Sequence, residues 1–422
     1  MSSLYYYDLR SIPDFANILL NQDYSNDILN VIEYSNKTNE VYKIVRYNKD
    51  LIDKDTITPF GLVRSVVINK NNHVISVSPS KSLTMETFLK KDPNKNEHII
   101  GEQFVEGTMI NLFWDSSVEL WEIATRNTVG GNVSFYKNKN DNNKNDENSN
   151  YKTFNQMFHE ACVYNNVDIH SLDKNYCYSF VLQHPENRIV VPFKFPQLFL
   201  IVVYHIENTP ENIFVYSQCL SNINIFGFEN STVQLPEIYQ YEKYQDLIDK
   251  YASNNSSYDA LGIVFKNILT GERTKKRNPV YQQIKELKGN QPKILYRYLS
   301  LRKEGKVREY LEYFPEHKNE CNKLRQQLHD FTNTLFSNYK DCYVKKQKPL
   351  TEFPTQYRHH MFSIHQIYRN ELLEQKLFIT NRIVIDYVNK LHPSQQMYAL
   401  NYNMRKRIND FLQTDDDLNS VM

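Results

Sequence analysis

Apolar and polar positions alternate over short runs through the first two thirds of the chain and recur at helical spacing through the last third. Gly61–Asn69 and His73–Val77 are rich in Val and Ile and flank a Lys-Asn-Asn turn, which predicts a hairpin. Met109–Trp114, Leu120–Thr125, Tyr178–Leu182, Arg188–Phe193, Leu198–Ile206 and Ala260–Lys266 predict further strands. Helices are expected at Phe154–Tyr164 and near Tyr241–Ala252. The irregular mixture predicts an α+β layout with mainly antiparallel sheets rather than a regularly alternating parallel sheet. From about Tyr281 the pattern turns helical. Leu324, Leu328, Phe331 and Leu335 share one face of Lys318–Asn338, and Phe362, His365, Tyr368 and Leu372 share one face of Tyr357–Leu377. Two domains are expected, 1–285 and an all-helical 286–422 that ends in the acidic tail Asp415–Asp417.

The longest apolar run, Leu198–Tyr204, is strand-sized, so no membrane span is expected. The opening MSSLYYYDLR has neither a basic nor an apolar leader region, which argues against secretion. Residues 137–150, KNKNDNNKNDENSN, bury nothing and are expected to form a mobile loop.

Composition adds two points. The net charge of +1 hides an asymmetry: residues 280–422 carry 23 basic and 16 acidic side chains, leaving 27 and 33 for residues 1–279. A basic unit is the usual footprint of nucleic-acid contact, although a basic face can equally dock on an acidic one. The five Cys are scattered without CxxC spacing, as expected of reduced thiols in a cytoplasm-like compartment. His359, His360 and His365 lie close in sequence but have no Cys nearby, so no metal site is assigned. The 48 Asn and 31 Tyr against 10 Gly fit an AT-rich genome, for which a large DNA virus is one source.

The chemistry lies in an ordered set of short motifs. Arg64-Ser-Val-Val-Ile is followed by Pro79-Ser-Lys81, then Phe104-Val-Glu106-Gly107-Thr, then Trp121-Glu-Ile-Ala-Thr-Arg126. Pro185-Glu-Asn187-Arg188-Ile-Val, Leu261-Gly262-Ile-Val-Phe-Lys266 and Thr274-Lys275-Lys-Arg277 complete it. Over about residues 55–285 this order resembles the phage-type ATP-dependent RNA ligases of the covalent nucleotidyltransferase superfamily. The "SPxNRIV"-like block around Pro185, Asn187 and Arg188 is the most specific match. The resemblance implies a nucleotidyltransferase domain with a central cleft, followed by a helical domain. In that family a K-x-D/E-G lysine attacks the α-phosphate of ATP, later carboxylates hold the nucleotide and metal, and a final K-x-K meets the phosphates.

Three positions depart from that chemistry. Phe104 stands where the nucleophilic lysine is expected, and Val181 and Leu261 stand where carboxylates are expected. The resemblance therefore implies loss of adenylylation, and Phe104 is expected to open onto the cleft of a two-sheet domain beside positions 181 and 261. Arg64, Lys81, Glu106, Arg126, Lys275 and Arg277 match family positions that face the nucleotide or its phosphates. Read alone, Arg64 and Arg126 are equally exposed strand charges, Lys275–Arg277 a solvated turn, Asn187 a turn residue and His184 a satisfied polar group. Tyr296, Tyr298, Tyr310, Tyr313 and Phe314 read as helix packing more readily than as base-stacking platforms.

Three functions remain open at this level. The first is a degenerate RNA-ligase-like protein that binds RNA or a protein partner in a host cytoplasm or virion. The second is an active ligase using a distant lysine such as Lys81 or Lys266, with ATP and Mg²⁺ needed only in that case. The third is a structural virion or complex component. A lysine amine reaching the place of the Phe104 side chain would favour the second.

Overall fold

The computed structural model describes residues 3–20, 27–36, 39–53, 56–134, 152–291, 293–402 and 405. The Asn-rich stretch 137–150 and Asp415–Asp417 lie outside the described residues. Fourteen strands are described: β1 (Ser3–Asp8), β2 (Leu29–Ser35), β3 (Val41–Tyr47), β4 (Val66–Ile68), β5 (Val74–Val77), β6 (Ile99–Gln103), β7 (Thr108–Asp115), β8 (Leu120–Ala124), β9 (Tyr176–Gln183), β10 (Gln197–Asn208), β11 (Ile213–Gln218), β12 (Ile238–Tyr239), β13 (Gly262–Asn267) and β14 (Arg273–Arg277). The helices are α1 (Phe15–Leu19), α2 (Ile57–Phe60), α3 (Met85–Lys91), α4 (Phe154–Tyr164), α5 (Tyr244–Tyr251), α6 (Pro279–Lys288), α7 (Ile294–Glu304), α8 (Val307–Tyr313), α9 (Lys318–Tyr339), α10 (Thr355–Ile367), α11 (Asn381–Lys390) and α12 (Pro393–Leu400).

Three sheets form, not two, and their ladders are antiparallel. A six-stranded sheet has the order β1-β11-β10-β9-β7-β8, and the four-stranded sheets have the orders β2-β3-β4-β5 and β12-β6-β13-β14. In the β2–β5 sheet the β4–β5 hairpin was expected, whereas β2 and β3 were not. The sheet's inner residues Val45, Val66, Ile68 and Val77 share a core with Val202, Tyr204 and Val215 of the large sheet. The opposite face of the large sheet buries Tyr178, Phe180, Leu198 and Leu200 beneath Met157, Phe158 and Ala161 of α4. That helix begins where a capping box forms, the Thr153 side chain accepting from Gln156 N–H and Gln156 answering the Thr153 N–H. The third sheet packs Ile99, Ile263 and Phe265 against Phe88 of α3 and Tyr244 and Leu247 of α5.

Two local expectations are corrected. Gly61–Arg64 is not strand, because α2 and its closing turn occupy the approach to β4. Arg188–Phe193 is not strand either, because the amides of Val190 and Val191 are captured by the Glu106 carboxylate at 2.8 and 3.2 Å instead of by a neighbouring strand.

Internal contacts divide the chain into Met1–Glu286 and Leu287–Met422. In the second unit Leu324, Leu328, Phe331 and Leu335 of α9 are buried. On α10 the buried residues are Met361 and Ile364, whereas Phe362 is exposed; the helix ends at Ile367 and widens into a π turn, Tyr368–Leu372. The expected stripe is thus displaced around the helix. Tyr298, Tyr310 and Phe314 are buried, which removes them as base-stacking platforms.

Candidate anion-binding cleft

The chain crosses from the third sheet to the large sheet through Phe104-Val-Glu-Gly107, between β6 and β7. This crossing forms one wall of a cavity of about 230 Å³. Gly107 sits at φ +147°, where a Cβ would collide with the Leu182 carbonyl and the Val181 side chain, so only glycine lets the crossing lie so close to β9. Behind it, Val105, Val181 and Phe199 make a small apolar cluster with Met109 and Ile201 at its edge. Val181, at the first expected carboxylate position, therefore packs apolar surface at the cleft floor. Leu261, at the second, also lines the cavity with Phe104.

The opposite wall is β14. Its pairing with β13 places Arg273, Lys275 and Arg277 at alternate positions, hence on one face, with Lys276 on the other. All three line the cavity, together with Arg64 from the turn before β4 and Lys285 of α6. Arg273 donates from Nη2 to the Ser80 carbonyl at 3.0 Å, while its Nε is buried without a partner. Arg277 donates to Gln282 Oε1 at 3.2 Å. Among the described residues none of these cations forms a salt bridge.

The consequence is electrostatic. Lys275 is reached by solvent yet walled by the cleft; that desolvation, followed by repulsion from Arg273, Arg64, Arg277 and Lys81, lowers its ammonium pKa to about 7. Burial first, then Arg273 and Arg126, with Tyr47 opposing, brings Arg64 down to about 10. Lys285 is lowered by burial and Arg277, with Glu106 opposing. The Lys275 Nζ stands 5.5 Å from the centre of the Phe104 ring. A lysine amine therefore does reach the neighbourhood of residue 104, and it is neither Lys81 nor Lys266.

The remaining motif residues separate into two groups. Glu106 lines the cavity, but its carboxylate is consumed in structure: besides the Val190 and Val191 amides it accepts the Tyr281 hydroxyl, whose pKa burial and Glu106 both raise. Lys81 and Arg126 do not line the cavity. Lys81 is felt there only as charge on Lys275, and Arg126 lies with its guanidinium 4.9 Å from the Tyr47 ring centre. Asn187 closes a 3₁₀ turn, Pro185–Asn187, and donates to Thr108 Oγ1 at 2.8 Å. His184 caps that turn and contacts Glu160 Oε2 through Nε2 at 3.2 Å. Arg273, Lys285 and Glu102 also line the cavity and were not singled out by sequence. Alternation along β14 was the available signal for Arg273.

Beyond Phe104 and Leu261 a second recess of about 360 Å³ continues the cleft, lined by Phe193, Gln183, Ser257 and the stacked pair Tyr239–Tyr251 at 4.5 Å. No group of three or more metal-ligating side chains occurs among the described residues. His360 bonds the Tyr387 hydroxyl through Nδ1 at 2.9 Å, with burial and then His359 lowering its pKa to about 4, and His365 stacks on Tyr343 at 3.9 Å.

No protein-family model matches the chain. It is 24% identical over 278 residues to an RNA ligase of Rhodothermus phage RM378, a match spanning 60% of this chain and 61% of that protein. This is an RNA-ligase-like chain. It spans about three fifths of the length of that curated relative. Similar solved structures are an archaeal ATP-dependent RNA ligase (TM-score 0.37, 10% identity, 72% of this chain and 76% of that one) and a point mutant of the Naegleria gruberi RNA ligase with ATP and Mn (TM-score 0.34, 11% identity, 50% and 58%).

Chemically, the cleft of this RNA-ligase-like chain has two characters. One end gathers five cations against two carboxylates, Glu102 and the backbone-engaged Glu106, an excess of like charge that costs folding energy and is relieved by an anion carrying several negative charges. The other end offers aromatic faces and hydrogen-bonding groups. Residue 104 supplies no nucleophilic atom.

Proposed function

We propose that this RNA-ligase-like protein holds a phosphate-bearing ligand, a nucleotide or the phosphorylated end of an RNA, in the β14 cleft without linking it covalently to residue 104. The observation that carries this reading is the unneutralised set Arg64, Arg273, Lys275 and Arg277 facing one cavity across from Phe104. Phosphate oxygens would accept from the Arg guanidinium forks and the Lys275 ammonium. The stacked tyrosines of the adjoining recess would lie beside a base or ribose. The curated relative's RNA ligase activity supports RNA as the ligand class. Calorimetric titration with ATP, and with RNA bearing a 5′-phosphate, tests the reading: both bind, and Lys275→Ala with Arg277→Ala weakens both.

A second reading is favoured by one observation, the 5.5 Å between Lys275 Nζ and the Phe104 ring centre. Here the unprotonated Lys275 amine attacks the α-phosphorus of ATP. An N–P bond forms, the bond to pyrophosphate breaks, and the amine gives its proton to solvent while the surrounding guanidinium groups take the leaving charge. Incubation with ATP labelled on the α-phosphate, in the presence of Mg²⁺, separates the two. The first reading requires no protein-bound label; an acid-labile, alkali-stable adduct mapping to Lys275 establishes the second.

A further inference from the structure

The positive field of the cleft continues outside it. Arg46 lies on β3, Lys49 follows that strand, and Arg126 follows β8. Arg126 rests its guanidinium over the Tyr47 ring, donates from Nη2 to the Tyr47 carbonyl at 3.4 Å, and keeps a buried Nε without a partner. Arg46 donates to the Asn127 side chain. Arg126, in the turn after β8, is thus held against the end of β3 by contacts that leave its charge uncompensated.

Mutual repulsion ties these groups to one another and to the cleft. Lys49 is lowered first by Arg126, then by burial, Arg64 and Arg46, with Asp50 opposing. Arg46 is lowered by burial and by Arg126. Arg64 in turn feels both Arg126 outside the cavity and Arg273 inside it. Among the described residues Arg46, Lys49 and Arg126 form no salt bridge, and Asp50 is the one carboxylate whose charge registers on Lys49. Lone surface cations are ordinary. A row of them held close enough to repel, anchored by an aromatic ring and backbone, and ending in a pocket of the same sign matches a ligand with evenly repeated negative charge.

We propose that Arg126, Lys49 and Arg46 form a backbone track for single-stranded RNA that leads to Arg64 and the β14 cleft. The proposal rests on the reading that the cleft takes a phosphate-bearing ligand, and it assigns the polymer beyond that phosphate to the β3–β8 side. Each track cation meets one phosphate and reads no base, so the track is indifferent to sequence. An acidic protein segment is the competing occupant; its carboxylates are not spaced as phosphates are, and it carries no terminal phosphate for the cleft.

The test compares a 5′-phosphorylated dodecaribonucleotide with ATP on the full chain and on Lys49→Ala, Lys49→Glu and Arg46→Gln variants. Lys49 is exposed, so its variants should fold as the parent does, and unchanged thermal melting checks this. The track predicts severalfold weaker RNA binding, ordered Glu below Ala, and a log–log salt slope reduced by roughly 0.7 for each lost contact. ATP affinity should be unchanged. RNA binding unaltered in all three variants overturns the track while leaving the cleft reading intact. ATP binding without RNA binding by the parent overturns it likewise, and absence of both overturns the cleft reading too. Preferential binding of poly-glutamate over RNA, lost in the same variants, assigns the surface to a protein partner and overturns the RNA track.

Discussion

The ammonium of Lys275 and the ring of Phe104 face each other across the cleft, 5.5 Å from nitrogen to ring centre. The residue without a nucleophile thus borders a lysine whose charge the surrounding cations disfavour. Four expectations follow from this arrangement and from the contacts that hold it.

Lys275 should make anion binding depend on pH. Its pKa in the free protein is about 7, below the ordinary lysine value, so the ammonium is mostly present at pH 6 and mostly absent at pH 8.5. A bound phosphate favours the charged form, so binding takes up a proton near neutrality. Affinity for ATP should fall as pH rises from 6 to 8.5, and calorimetry in buffers of different ionisation enthalpy should register the proton. Lys275→Gln should bind more weakly and lose most of the dependence.

The same residue should trade stability for binding. A folded-state pKa below the unfolded one means the unfolded chain binds more protons between those values, so this contribution to stability rises with pH above about 7. Lys275→Met should therefore raise the melting temperature at pH 6 while weakening ATP binding. A lower melting temperature at that pH would show that Lys275 is tied into a stabilising contact.

Glu106 should matter for the fold of the motif rather than for ligand charge. Glu106→Ala leaves the Val190 and Val191 amides and the Tyr281 hydroxyl short of an acceptor, a cost of about 2–3 kcal/mol. Urea unfolding should register that loss, and hydrogen exchange should quicken at residues 190 and 191. Gly262→Ala should be comparably harmful, since at φ +141° a Cβ would enter the Lys276 carbonyl oxygen.

Restoring lysine at position 104 should not restore adenylylation. Val181 and Leu261 supply no carboxylate, Glu106 is engaged with backbone, and the added ammonium joins an already repulsive set. Phe104→Lys incubated with α-phosphate-labelled ATP and Mg²⁺ should carry no label at residue 104. Label there would mean that Glu102, or another group, suffices to manage the metal.

What the sequence made legible follows from how local each determinant is. The hairpin of β4 and β5 is written in adjacent Val and Ile residues, and α4 in a capping box four residues long, Thr153–Gln156. β2 and β3 are less visible because polar and charged residues interleave on a half-solvated sheet, so their identity comes from pairing. β14 reads Arg-Thr-Lys-Lys-Arg and resembles a solvated turn; β13 makes it a strand. That difference is also why Arg273 was missed, since only a strand places it beside Lys275 and Arg277. The mistaken strand at Arg188–Phe193 has the same origin: its amides answer a carboxylate 84 residues away in sequence. Phe104, Val181 and Leu261 could be named from motif order, whereas the counter-charge missing around Lys275 emerges only when β14, α6 and the turn before β4 are brought together.

The central claim is that the cationic cleft recognises phosphate. Its most direct test is the affinity of the full chain for one RNA oligonucleotide carrying either a 5′-phosphate or a 5′-hydroxyl, with and without Lys275→Ala and Arg277→Ala. The account predicts tighter binding of the phosphorylated form by the parent protein and loss of that preference in the double variant. Equal affinity for the two forms in the parent protein, or a preference that survives removal of both side chains, would contradict it.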